Sequence, residues 1–127
     1  MKLIETIEIP GTPRSKKTHN QAFIVKGRPI VLPSKQFTQY QKHCVEFFKD
    51  REAEPYSDSI GIRLTAYMEN HRGRPDHVGL LQSLGDILEH CGVIENDRII
   101  SWVDDRIGGW LQYDSEFPRV VLEIFST

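Results

Sequence analysis

Residues 74–98, RPDHVGLLQSLGDILEHCGVIENDR, decide how the rest of the chain folds. At ~100° per residue, Leu80, Leu81, Leu84, Ile87, Leu88 and Cys91 share a stripe ~120° wide, the mark of a helix with one buried side. Pro75 and Asp76 precede it and Gly92 follows, which predicts a helix that starts after Asp76 and ends near His90. Gly79, Gln82, Asp86 and His90 fall together on the opposite side.

The flanking segments read as strands. SIGIRLTAYMEN (59–70) alternates Ile60, Ile62, Leu64, Ala66 and Met68 with Arg63, Thr65, Tyr67 and Glu69, the period of a half-buried strand. IISWVDD after the helix and RVVLEIFS near the end have the same character, and RIGGWLQYDSEFP between them reads as a long loop or twisted hairpin. Upstream, LIETIEIPG is a strand that stops at Pro10-Gly11, and AFIVKGRPIVL is a hairpin turning at Lys26-Gly27-Arg28. PSKQFTQYQKHCVEFFKDR is a second helix, with Ser34 as cap and Phe37, Tyr40, Cys44, Phe47 and Phe48 on one stripe. The expected fold is α+β: one domain, residues 1–127, with a mixed sheet of about five or six strands and two main helices packed on it.

Hydrophobic residues make up 39% of the chain, yet no apolar run approaches the ~20 residues that span a bilayer, so no membrane association is expected. Glu5 and Glu8 interrupt the first apolar stretch where a secretory signal would be continuous, which points to a cytoplasmic protein. Cys44 and Cys91 lie on apolar helix stripes, as reduced cysteines do, and the five histidines lack zinc-site spacing. A net charge of −2 argues against a nucleic-acid protein, but it conceals a division. Residues 1–51 carry ten Lys/Arg against four Asp/Glu, and residues 52–127 carry six against fourteen. That separation suits a polyanion-binding surface beside an acidic centre, or two halves that attract each other.

Arg14, Lys16 and Lys17, Lys26 and Arg28, and Arg72 and Arg74 sit in three predicted loops, where basic tips suit phosphate contact. Asp76, Asp86 and Asp97 are the residue type that holds Mg²⁺ for phosphodiester hydrolysis. Each also has an ordinary explanation: Asp76 as a helix cap, Asp86 as a solvated side chain, Asp97 as turn chemistry in ENDR. Trp102 and Trp110 are packing residues or stacking platforms for bases.

IPGTPRSKK, GRPIVLPSKQFTQY, RPDHVGLLQSLGDILEHCGVIENDR and FPRV, in this order and spacing, make the chain resemble the RusA family of Holliday-junction resolvases over nearly its whole length. The resemblance implies a homodimeric, Mg²⁺-dependent endonuclease (Mn²⁺ a possible substitute) that nicks four-way DNA junctions symmetrically. Asp76, Asp97 and Asp86 would be its metal-binding and catalytic acids, and the seven basic residues named above would hold DNA. The family's central pattern is Asp-x-Asp-Asn-Leu, a Lys two positions on, Asp-x-Leu, a Gly and an Asp-Asp pair. Here Asp76, Leu80, Asp86, Gly92 and Asp97 match, whereas Val78, Gly79, Gln82 and Asn96 replace an acid, the Asn, the Lys and the first acid of the pair. A variant centre that uses Asp86 and a DNA-binding relative without cleavage both follow from these departures.

Overall fold

A single strand, Ile60–Met68, organises the sheet. In a computed structural model of the chain, which describes residues 1–16, 21–32, 34–72 and 74–126, the order is β1 (Lys2–Pro10), β2 (Gln21–Val25), β3 (Arg28–Leu32), α1 (Lys35–Phe48), β4 (Ile60–Met68), α2 (His77–His90), β5 (Ile100–Trp102), β6 (Leu111–Tyr113) and β7 (Arg119–Ser126), with a 3₁₀ turn at Asp97–Ile99. β7 runs antiparallel along one edge of β4, from Ile60↔Ser126 to Tyr67↔Arg119. Along the other edge lie β5, parallel to residues 60–62, and then β6, parallel to residues 66–68. β1 closes the far side against β7, and β2 and β3 form a separate hairpin. The architecture is the expected α+β domain, a mixed five-stranded sheet with two helices.

Register explains the core. Ile62 pairs with Ile124, Leu64 with Leu122 and Ala66 with Val120, and Leu122 and Val120 in turn pair with Ile7 and Ile9 of β1. Cross-strand partners point to the same face, so these residues form one apolar surface. Phe37, Tyr40, Cys44 and Phe48 of α1 and Leu80, Leu84, Ile87 and Leu88 of α2 belong to the same buried cluster. Phe47, expected on the apolar stripe of α1, is 41% exposed. It lies at the stripe's margin, about 80° from Phe37 at 100° per residue, and meets Phe48 edge-on.

Two expectations change. β4 was expected to be half-buried, yet Gly61 and Thr65, on its predicted outer side, are buried too. The chain after β5 folds over that side: Arg106 donates to Thr65 Oγ1 at 2.9 Å and to the Leu64 carbonyl at 3.1 Å. A Cβ on Gly61 would meet Val103 at 3.2 Å, so glycine permits this approach. Second, the segment expected as a loop or hairpin contains β6, which pairs parallel with β4 and not with its sequence neighbour β7. Three residues of isolated pattern carry too little signal to show a non-local pairing.

β1 is tied to the turn after α1 by a forked ion pair. Arg51 donates through both terminal nitrogens to the Glu5 carboxylate at 2.8 Å each, and the Tyr56 hydroxyl donates at 2.6 Å. Chiefly the Arg51 hydrogen bonds hold the Glu5 carboxyl below its ordinary value, against the opposing pull of burial. A depressed folded-state pKa contributes stability that is present above the unfolded value of 4.5 and is lost as pH falls through the folded one. Glu5→Gln is expected to lower unfolding free energy at neutral pH by about 1 kcal/mol, allowing for partial solvent screening. Its difference from the unsubstituted chain should shrink below about pH 4. Chemical denaturation at a series of pH values checks this, and a constant difference across the acid range would contradict it.

Candidate nucleic-acid interface

Parallel strands need a crossover connection, and α2 is the crossover from β4 to β5. Its start lies beside the β4–α2 loop, and the 3₁₀ turn that follows comes back against its second half. These two points place the predicted acids. Asp76 is the N-cap: its backbone is extended (φ −71°, ψ 124°) and its Oδ2 accepts from the Gly79 N–H at 3.0 Å. Asp86 is ten residues further, ~15 Å along the axis, and pairs with the Lys16 ammonium. Asp97 opens the 3₁₀ turn, and its backbone N–H donates to Glu89 Oε1 at 2.9 Å.

Gly85 makes the approach of the turn possible. A Cβ there would already touch the Asp97 Cβ at 3.7 Å and Trp102 at the same distance. Asp97 therefore lies over the part of α2 that carries Asp86 and Glu89, whereas Asp76 stays at the helix start. Glu89 was not anticipated as a neighbour of Asp97; its position four residues after Gly85, on the same helical stripe, was the available signal. Val78, where the RusA-like pattern has an acid, is 58% exposed on the solvent side of α2. Among the described residues no group of three His, Cys, Asp or Glu side chains is placed to hold a metal ion. Asp76 caps the helix, Asp86 is paired with an ammonium, and Asp97 lies by Glu89.

Lys16 brings the basic loop onto α2. Its backbone N–H donates to Ser83 Oγ at 2.9 Å, and Ser83 donates onward to the Gly79 carbonyl at 2.8 Å. Gly79, expected on the open polar face with Asp86, is buried together with Ser83, while Gln82 and His90 are exposed as expected. Gly11, at the beginning of the loop, has φ +108°, a conformation suited to glycine, and a Cβ there would meet His43 Nε2 at 3.3 Å. His43 itself bonds the Pro10 carbonyl, which holds the loop against α1.

The basic residues divide into two kinds. On the sheet face opposite the helices, Arg63 pairs with Asp105 and Glu123, and Arg119 with Glu8 and Asp114. Arg14, Arg72 and Arg74 form no ion pair among the described residues. Arg14 and Arg72, 58 positions apart in sequence, line one pocket of about 50 Å³ together with Thr12 and Asn70. Arg74 lies 5.9 Å from the centroid of the Trp110 ring, on which His77 stacks at 4.2 Å. Trp110 is buried, a packing residue, and Trp102 is half-buried against α2. Lys26 and Arg28 are exposed at the β2–β3 turn, where Lys26 (φ 52°) and Gly27 (φ 75°) adopt the left-handed conformations of a tight hairpin. Lys17 lies outside the described residues.

Compared with protein-family models the sequence matches none, and no curated protein matches it. Substitution at Asp76 separates capping from ligation. Asp76→Ser retains a good cap and should leave thermal stability nearly unchanged, whereas Asp76→Ala should cost about 1 kcal/mol. Equal losses in both variants would show that the carboxylate does something other than cap.

Proposed function

We propose that the chain binds branched DNA, such as a four-way junction, through the face where the loop of residues 11–16 meets the β4–α2 loop. The observation that carries this is the shared pocket of Arg14 and Arg72, two guanidiniums that form no ion pair among the described residues, whereas Arg51, Arg63, Arg106 and Arg119 do. Guanidinium groups at exposed loops bind phosphate by charge-assisted, often bidentate hydrogen bonds. The RusA-like sequence pattern supplies the branched substrate, and with it a homodimer in which two copies face a symmetric junction. A cytoplasmic setting accords with the two free cysteines; the Cys44 thiol is pushed up to about 12 by burial, so it stays protonated. No helix among the described residues is long and apolar enough to cross a membrane.

A second reading, a Mg²⁺-dependent junction endonuclease, is favoured by one observation: the 3₁₀ turn sets Asp97 against α2 beside Gly85, the residue before Asp86 in sequence. Mg²⁺ commonly takes only one or two protein carboxylates, with water and substrate phosphate completing its shell. Here Lys16 already neutralises Asp86, which favours binding over cleavage as the activity of this chain.

Both readings are tested on a synthetic four-way junction with the full chain. Arg14→Ala with Arg72→Ala should weaken binding and reduce the slope of log affinity against log salt by about two, one per phosphate contact. With Mg²⁺ or Mn²⁺ added, binding without nicking is expected. Nicking that Asp97→Asn abolishes while binding persists would establish the endonuclease instead, and absence of binding at low salt would overturn both.

A further inference from the structure

The pocket between Arg14 and Arg72 adjoins a second one across Thr12 and Arg14, a small and a large end on either side of the same two residues. Thr12 and Arg14 also line a second pocket, of about 260 Å³, whose opposite wall is α1, with Gln36, Gln39, Tyr40 and His43. The two ends differ in chemistry. The small end presents two guanidiniums, the Thr12 hydroxyl and the Asn70 side chain; the Glu69 carboxylate also lines it and limits how much negative charge it accepts. The large end presents two exposed amides one helical turn apart and an aromatic wall. Its volume is below the ~300 Å³ at which pockets for drug-sized ligands begin, which suits a fragment the size of one base.

We infer that this groove holds one unpaired nucleotide, its phosphate between Arg14 and Arg72 and its base against Gln36, Gln39 and Tyr40. The inference rests on the DNA-binding reading and adds to it what the protein would recognise at a branch point. Side-chain amides both donate and accept, and a glutamine matches the N6 and N7 edge of adenine with two hydrogen bonds. That edge is also open in the major groove of a duplex, but a base can enter a pocket between a loop and a helix only when the nucleotide is out of the helical stack. Arg14 joins the two ends, since it lines both. Gly11 and the bond from His43 to the Pro10 carbonyl hold its loop at the distance from α1 that leaves the larger pocket open.

The test uses the full chain labelled with nitrogen-15, titrated separately with deoxyadenosine 5′-monophosphate, deoxyadenosine and inorganic phosphate, while the side-chain amide and backbone signals are followed. Deoxyadenosine monophosphate is expected to shift the Gln36 and Gln39 side-chain amides together with the backbone at Thr12 and Arg72. It should bind at least about fivefold more tightly than either part alone, roughly the effect of one added hydrogen bond. Gln36→Ala with Gln39→Ala, both exposed positions on α1, should remove that advantage and leave the response to inorganic phosphate unchanged. Equal affinity for the nucleotide and inorganic phosphate, with the glutamine signals unmoved, would reduce the groove to a phosphate seat and overturn the inference; so would no response to any of the three probes. Junction binding by the same preparation separates the two levels. If it persists while the nucleotide result fails, only the unpaired-nucleotide inference falls, and if both fail the DNA-binding reading falls with it.

Discussion

Everything in this molecule depends on β4 having both edges occupied. β7 takes one edge along nearly its full length, and β5 and β6 share the other. A strand in that position has most of its backbone groups paired within the sheet, and in the gap between β5 and β6 the Leu64 carbonyl is bonded by Arg106 instead. α1 and α2 cover one face with apolar side chains. The chain between β5 and β6 covers the other, with Arg106 reaching Thr65 and the Leu64 carbonyl. Because β5 is parallel to β4, the connection between them has to be a crossover, and α2 sits where the loop before it meets the basic loop and the turn after it returns to its second half.

The same arrangement distributes charge unevenly. Arg63 and Glu123 are direct cross-strand partners, and their side chains, with Asp105, share a face, so attraction across the sheet uses up the cation. Opposite charges on neighbouring strands stabilise a sheet by a few tenths of a kcal/mol to about 1 kcal/mol. Arg14 and Arg72, each in a loop at the end of the sheet, form no ion pair among the described residues, and of these Glu69 is the only acid lining their shared pocket. The contrast between the two groups of arginines is what would give the proposed binding face its sign, in a chain whose net charge is slightly negative.

Lys16 illustrates how position alters role. In sequence it is one member of a basic cluster suited to phosphate. In the fold its ammonium meets Asp86 and its backbone anchors the loop on Ser83. The pair is about half exposed on each side, so its contribution to stability is small. Its larger effect is on Asp86, which has a cation where the RusA-like pattern would have a lysine four residues earlier on the same helix. A carboxylate engaged in this way is a poorer metal ligand than a free one, because the ammonium must be displaced first.

Local pattern was enough to determine both helices, with Ser34 and Asp76 as their caps, the hairpin turning at Lys26-Gly27, and the α+β class. Each of these rests on interactions within a few residues: a side-chain oxygen on a nearby N–H, a helical stripe, a turn that needs left-handed backbone. The partners of β6, the burial of Gly61, Thr65 and Gly79, and the contact of Glu89 with Asp97 were decided only by tertiary structure, because each depends on a segment many residues away. The candidate site divides in the same manner. Asp76, Asp86 and Asp97 were visible as residue types, but whether they meet depends on the path of the turn after α2 and on where Lys16 lands. The fold brings Asp97 to α2, leaves Asp76 at the cap, and joins Arg14 to Arg72 across 58 positions of sequence; periodicity has no term for a distance of that kind.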